Sequence, residues 1–215
     1  MAKRTHEEAE RTRQAILDSA LRLFSRRGYE STSLSDIARF ANVTRGAIYW
    51  HFKDKGEILV ELCEGFCGDG KDSDLDYLKK AADPNEADPL GQLKMCFFRC
   101  NDDDRVQFFS SALFGLVGKI MSGACGSDNV RERLTELFYK HDALVQQALE
   151  NAVQKQQLPS DLNVALASEM LGVFFCGYIT FLRDGNAKNI QTNFKQVVDI
   201  IFNSMISGGE VYHQR

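Results

Sequence analysis

With 215 residues, 44% of them hydrophobic, the chain can bury one large core or a small domain joined to a larger one, and two unequal units are expected. The net charge of −4 excludes a uniformly basic nucleic-acid binder. It conceals a division, however: up to Lys55 eleven Lys or Arg face seven acids, giving +4, which leaves −8 for the rest. No apolar run reaches the roughly 20 residues that cross a bilayer, and the charged N-terminus lacks the apolar core of a signal peptide, so the expected location is cytoplasmic.

Three prolines, all beyond residue 83, and few strand-like alternations predict an almost wholly helical chain. A first helix is expected over about Glu8 to Arg27. Its Ala15, Ile16, Ala20, Leu23 and Phe24 recur at three- and four-residue steps, and Gly28 supplies a left-handed stop. Thr32 or Ser33 can cap a short helix, Leu34 to Phe40, with Leu34, Ile37, Ala38 and Ala41 inward. A tight connection at Asn42-Val43-Thr44 follows, and Thr44 caps a third helix running to about His51. Lys55 and Gly56 open a fourth that continues to about Phe66.

Gly68 to Asp76 is rich in glycine and acid and reads as a joint between units, and Ala82 to Pro89 reads as a loop. Further helices are expected over about Leu90 to Cys100, Arg105 to Ser122, Ser127 to Gln157, Asn163 to Arg183 and Ile190 to Ser207. The fold class is therefore all-α: an N-terminal three-helix head containing a helix-turn-helix, expected over 10–67, joined to a larger C-terminal helical bundle, expected over 68–215.

Two short helices joined by a tight turn and docked on a longer one form the unit that lays its second helix in a DNA major groove. From Thr44 to Phe52, Ile48 and Phe52 lie four apart and anchor the helix inward, while Arg45, Tyr49, Trp50 and His51 occupy the other faces. Trp50 reads equally as core or as surface. Arg45, near the helix start, can grip a guanine edge with two hydrogen bonds, and Gly46 and Ala47 allow close approach of backbone to base edges. Lys55 and the start of the fourth helix suit a phosphate, a contact that adds affinity without sequence information.

These residues resemble the TetR family of repressors. The resemblance is carried by Ala15-Ile-Leu-Asp-Ser-Ala-Leu-Arg-Leu-Phe24, Gly28-Tyr29, Thr32-Ser-Leu-Ser-Asp-Ile-Ala38 and Val43-Thr-Arg-Gly-Ala-Ile-Tyr-Trp-His-Phe-Lys-Asp-Lys55. The last stretch is similar to the AcrR-type branch, whose members repress multidrug efflux-pump operons. The resemblance implies a homodimer on a palindromic operator, with reading helices entering successive major grooves roughly 34 to 36 Å apart. It places Thr44, Arg45, Tyr49, His51 and Lys55 at DNA-contact positions, and Ser33 where a phosphate contact begins the second helix.

The C-terminal part is rich in aromatic side chains, which as a set favour a cavity for a hydrophobic, drug-sized inducer. Phe98, Phe109, Phe114 and Phe175 are the expected ligand residues. Val164 to Leu182 is apolar on nearly every side and, with Phe194, Val197, Val198, Ile201, Phe202 and Met205, reads as a helix pair facing its twin across a two-fold axis.

Six cysteines spread along the chain suit a reducing compartment. Cys63 with Cys67 and Cys96 with Cys100 lie four apart, a spacing compatible with a metal or a redox pair, but neither has a nearby histidine and free thiols are commonly core residues. No metal, cofactor or catalytic residue is assigned. The alternative function is a thiol-based, redox-sensing repressor of the same fold. Two other classes stay open: an enzyme with an accessory DNA-binding head, and an architectural DNA-binding protein without a ligand. Against the enzyme stands the lack of a glycine-rich phosphate loop or nucleophile motif.

Overall fold

The computed structural model describes residues 6–66, 74–102, 115–183 and 188–207, and these residues are helices and connecting turns. The chain divides into two units: residues 1–66 with 112–135, and residues 67–111 with 136–215.

In the first unit α1 (His6–Arg27), α2 (Leu34–Phe40), α3 (Arg45–His51) and α4 (Lys55–Phe66) follow in order. One face of α1 buries Ile16, Leu17, Ala20, Leu21, Leu23 and Phe24, which α2, α3 and α4 cover. Gly28 ends α1 with φ +84° and donates its N–H to the Phe24 carbonyl, a left-handed stop that a β-carbon would strain. Buried Thr32 donates its hydroxyl to the Gly28 carbonyl at 2.8 Å, so the turn leaves no orphaned oxygen there. From α1, Arg13 pairs with Glu61 of α4 and lies 5.4 Å from the Phe52 ring centroid, joining three segments at one point. Residues 115–121 form α7, and α8 (Asp128–Gln154) begins in this unit before running on into the second.

The second unit contains α5 (Asp74–Ala82), α6 (Pro89–Asp102), α9 (Val164–Arg183) and α10 (Lys188–Ile206), together with the greater part of α8. Helix α6 packs on α5 and α10, and α10 on α9. Helix α8 buries Val145, Ala148, Leu149 and Ala152 along one stripe. Asn151 on that stripe is buried too, and its amide donates to the Ala81 carbonyl at the end of α5. Gln157, beyond α8, accepts from the Leu90 N–H and donates to Asp88, whose carboxylate also caps Gly91. The start of α6 is thereby satisfied by a residue far along the chain.

Most expected helices fall within a few residues of those observed. Helix α5 is not among the expected helices: its buried residues Leu78 and Ala81 lie within a single turn, in a helix of only 9 residues between the acidic stretch and the proline loop. Of the joint expected over Gly68 to Asp76, residues 68–73 lie outside the described residues and Asp74 to Asp76 begin α5. The first half of the helix expected at Arg105 to Ser122 also lies outside them.

Candidate nucleic-acid interface

Helix α2 starts from a capping box. The Ser33 hydroxyl oxygen accepts from the Asp36 N–H at 3.1 Å, the Ser33 N–H donates to the Asp36 carboxylate at 3.2 Å, and the Ser33 hydroxyl donates to it at 2.5 Å. The Ser33 hydroxyl, then its N–H and the nearby Arg39 and Arg27, hold the Asp36 carboxyl below the usual carboxylate range. Helix α2 ends at Ala41, and Asn42 takes the left-handed conformation with φ +54°, which an Asn tolerates. The Val43 N–H then returns to the Ala38 carbonyl at 2.9 Å, closing the turn.

Thr44 caps α3, its side-chain oxygen accepting from the Ala47 N–H at 3.1 Å. Ile48 and Phe52 are buried and fix the rotation of α3 about its axis. What they turn outward is Thr44, Arg45, Gly46, Tyr49 and Trp50, all exposed, with His51 half-buried beside them. Tyr49 is 54% exposed and Trp50 71%, so Trp50 is surface and not core. The indole stands edge-on to the His51 ring, with centroids 4.5 Å apart.

Gly46 is informative because the chain itself gives no reason for it. A β-carbon there would meet only the Thr44 hydroxyl oxygen, at 3.9 Å, and φ is not left-handed. A glycine inside a helix costs about 1 kcal/mol relative to alanine. No internal contact offsets that loss, and the bare Cα leaves the backbone next to Arg45 open to close approach.

Lys55, like Ser33 and Thr44, is engaged inside the chain. Its ammonium donates to the Tyr29 carbonyl at 2.8 Å and the Glu30 carbonyl at 3.3 Å, lies 3.6 Å from the Glu30 carboxylate and 4.3 Å from the Tyr29 ring centroid. The Glu30 carboxylate also accepts from the Gly126 N–H at 2.7 Å. Gly56 is packed against Val130, where a β-carbon would lie 2.4 Å from a methyl group. Sequence reasoning missed Glu30, Gly126, Gly56 and Val130 as a group. The available signal was the pair Gly123 and Gly126, which take φ of +75° and +81° in the turn before α8.

In the second unit Phe97, not its neighbour Phe98, is the aromatic hub. Its ring centroid lies 5.9 Å from those of both Phe175 and Phe202, in edge-on geometry. Phe98 is half-buried, with the Lys94 and Lys195 ammoniums each 5.6 Å from its centroid. Phe109 and Phe114 lie outside the described residues. Val173 on α9 and Ile200 on α10 are 74% and 67% exposed, apolar side chains that the single chain leaves uncovered.

Cys63 and Cys96 are buried, and burial pushes the Cys125 and Cys176 thiols above their ordinary value, the direction opposite to a reactive thiolate. Cys67 and the Cys100 side chain lie outside the described residues. Among the described residues no cluster of His, Cys, Asp and Glu is placed to hold a metal, and no helix is long and apolar enough to cross a membrane.

Residues 16–62 match the family described as bacterial regulatory proteins, tetR family. The chain is 34% identical over 188 residues to the HTH-type transcriptional regulator AcrR of Shigella flexneri, covering 86% of this chain and 82% of that one. The crystal structure of NalD, the secondary repressor of the MexAB-OprM multidrug efflux pump in Pseudomonas aeruginosa, superposes with a TM-score of 0.71 at 23% identity, covering 94% of this chain and all of the other. A complex of triclosan with SmeT, the repressor of the Stenotrophomonas maltophilia multidrug efflux pump SmeDEF, superposes with a TM-score of 0.64 at 23% identity, covering 95% and 92%.

Proposed function

This chain belongs to the tetR family of bacterial regulatory proteins, and on that premise we propose that it represses a multidrug efflux operon and leaves its operator when a hydrophobic small molecule binds. It is a DNA-binding transcriptional regulator and not an enzyme. A thiol-based redox switch as the alternative is not supported, in keeping with the raised Cys125 and Cys176 thiols.

Residues 10–67 read the DNA and residues 68–215 bind the inducer and dimerise, in the cytoplasm. The outward run of α3 is the observation that carries the reading: Arg45 opens the helix exposed, and Gly46 beside it leaves the backbone bare. Arg45 takes a guanine edge, Tyr49 and His51 contact the backbone or bases beside it, and Thr44 and Ser33 lie at the two helix starts where phosphates bind. Lys55 keeps the turn after α1 in place, and its positive charge there attracts a phosphate. Phe175, within the aromatic cluster, and Phe98 line the inducer site, and the same role is proposed for Phe109 and Phe114, which lie outside the described residues. Val173 and Ile200 are covered by the second protomer. Such a regulator works only if the inducer binds the released form more tightly than the DNA-bound form.

The test is binding to duplex DNA from upstream of its own gene, at fixed salt, with and without hydrophobic cationic and planar aromatic compounds, triclosan among them. Tight binding to a palindrome, released by some compounds, is the expected result. DNA binding that no compound weakens would sink the inducer half of the reading. In the same assay Arg45→Ala should cost roughly 1 to 3 kcal/mol and relax sequence preference, whereas Lys55→Ala should weaken all sequences alike and lower the salt slope by about one. Equal loss of preference in both variants contradicts the roles given to them.

A further inference from the structure

The contact between residues 29–30 and residues 125–130 joins parts of the first unit nearly a hundred positions apart in the chain. It has a polar half and an apolar half. In the polar half one carboxylate serves two masters: a Glu30 oxygen takes the Gly126 N–H, and the other oxygen faces the Lys55 ammonium. In the apolar half Val130, in the first turn of α8, sits in the hollow that Gly56 leaves at the start of α4. Gly126 itself is left-handed, with φ +81°, so the turn presents its N–H to Glu30 in a conformation that few other residues adopt. The Gly126 N–H first, then Lys55, draw the Glu30 carboxyl below its ordinary value, so it is ionised at neutral pH and the bond is charge-assisted.

Helices α1 to α4 share a core that includes Ile16, Ala20, Ile37 and Ile48, and this attachment adds to it. The turn it holds is followed at once by α8, a single helix of 27 residues whose later part belongs to the second unit. Any displacement of that turn is felt at Glu30, and through Glu30 at the Lys55 side chain.

We propose that Glu30 is a positioning residue for DNA binding, a clamp that ties the turn before α8 to the reading head through Gly126 and sets the orientation of Lys55. The proposal rests on the reading of the chain as a DNA-binding regulator. When the 122–130 segment moves, the clamp opens, Lys55 loses its counter-charge and its aim, and affinity for DNA falls. By linkage the reverse also holds: DNA bound to the head must stabilise the turn.

The test compares wild type, Glu30→Gln and Glu30→Ala in the full-length protein. Both variants remove the same negative charge next to DNA, but the glutamine keeps an oxygen for the Gly126 N–H and the alanine does not. Affinity for the upstream duplex is read by fluorescence anisotropy, and amide hydrogen exchange of the peptide covering residues 122–127 is followed with and without that duplex. The expected result is that DNA slows exchange there in wild type and in Glu30→Gln but not in Glu30→Ala, and that the alanine variant binds about three- to tenfold more weakly than the glutamine variant. Exchange in α1 serves as the control for folding and should be alike in all three. Equal affinities for the two variants, or exchange at 122–127 that ignores DNA in wild type, would overturn the proposal. Wild type that fails to bind the duplex at all would instead remove the regulator reading on which the clamp depends.

Discussion

The packing of Gly56 against Val130 predicts the sign and size of a double-mutant cycle. In Gly56→Ala the new methyl would lie 2.4 Å from a Val130 methyl and 3.0 Å from an Asp54 carboxylate oxygen. Carbon atoms prefer roughly 3.5 to 4.0 Å, so the overlap exceeds 1 Å and something must move. Asp54 cannot yield freely because it accepts the Glu57 N–H at 2.9 Å. Overpacking of this kind costs about 1 to 3 kcal/mol, against which alanine recovers up to about 1 kcal/mol of helix propensity, for a net loss of about 1 to 2 kcal/mol. Val130→Ala alone removes two methyl equivalents from a buried site and should cost about 1.5 kcal/mol. With Val130 shortened its own overlap disappears and the 3.0 Å approach to Asp54 remains, so Gly56→Ala made in that background should be close to neutral, the recovered helix propensity offsetting that approach. The two changes should thus couple by about 1 to 2 kcal/mol, measured by urea unfolding at one protomer concentration, because dimerisation links stability to concentration. Additivity within about 0.5 kcal/mol would refute the packing argument.

Two further outcomes follow from buried polar groups. The Tyr29 phenol is pushed up to about 12, first by burial, then by Asp54, Glu30 and Cys125. The folded state therefore holds its proton more tightly than the unfolded one, so its stabilising effect is complete below the ordinary tyrosine pKa of about 10 and is lost as pH rises toward 12. Thermal melts across the alkaline range should show Tyr29→Phe gaining on wild type only above about pH 10, and a difference that does not change with pH would contradict the assignment. Asn151→Ala strands the buried Ala81 carbonyl and should lower unfolding stability by about 1 to 3 kcal/mol, while an effect below about 0.5 kcal/mol would mean that water replaces the amide.

Local signals told most about the reading head. Ser33 and Thr44 are capping residues by chemistry, Gly28 is a stop by backbone freedom, and the four-residue step from Ile48 to Phe52 fixes which way α3 faces. Such features act over a single turn and are written in adjacent residues. The Glu30 to Gly126 bond is not, because no periodicity relates positions so far apart and a lone Glu in a turn resembles any solvated acid. The pair Phe97 and Phe98 shows another limit: neighbours on a helix differ by about 100° of rotation, so which one enters the core depends on partners such as Phe202 that arrive from another helix. Trp50 was undecidable for the same reason, its neighbours being apolar anchors on one side and an exposed Tyr49 on the other. Lys55 was legible as a cation at the right place, but its two carbonyl partners in the preceding turn were not.

The chain has one tryptophan, and it stands on α3 with its indole out in solvent and edge-on to His51. Tryptophan emission from the unlabelled protein, excited at wavelengths that tyrosine does not absorb, therefore arises at a single spot of each chain, the helix proposed to approach DNA. Its colour registers how wet that spot is, and its intensity registers the imidazole alongside. Events in the aromatic cluster around Phe97 contain no indole and leave the signal dark unless they reach the head. The protein thus has a native optical gauge on its reading helix, which separates a molecule that fills the second unit from one that also changes the first.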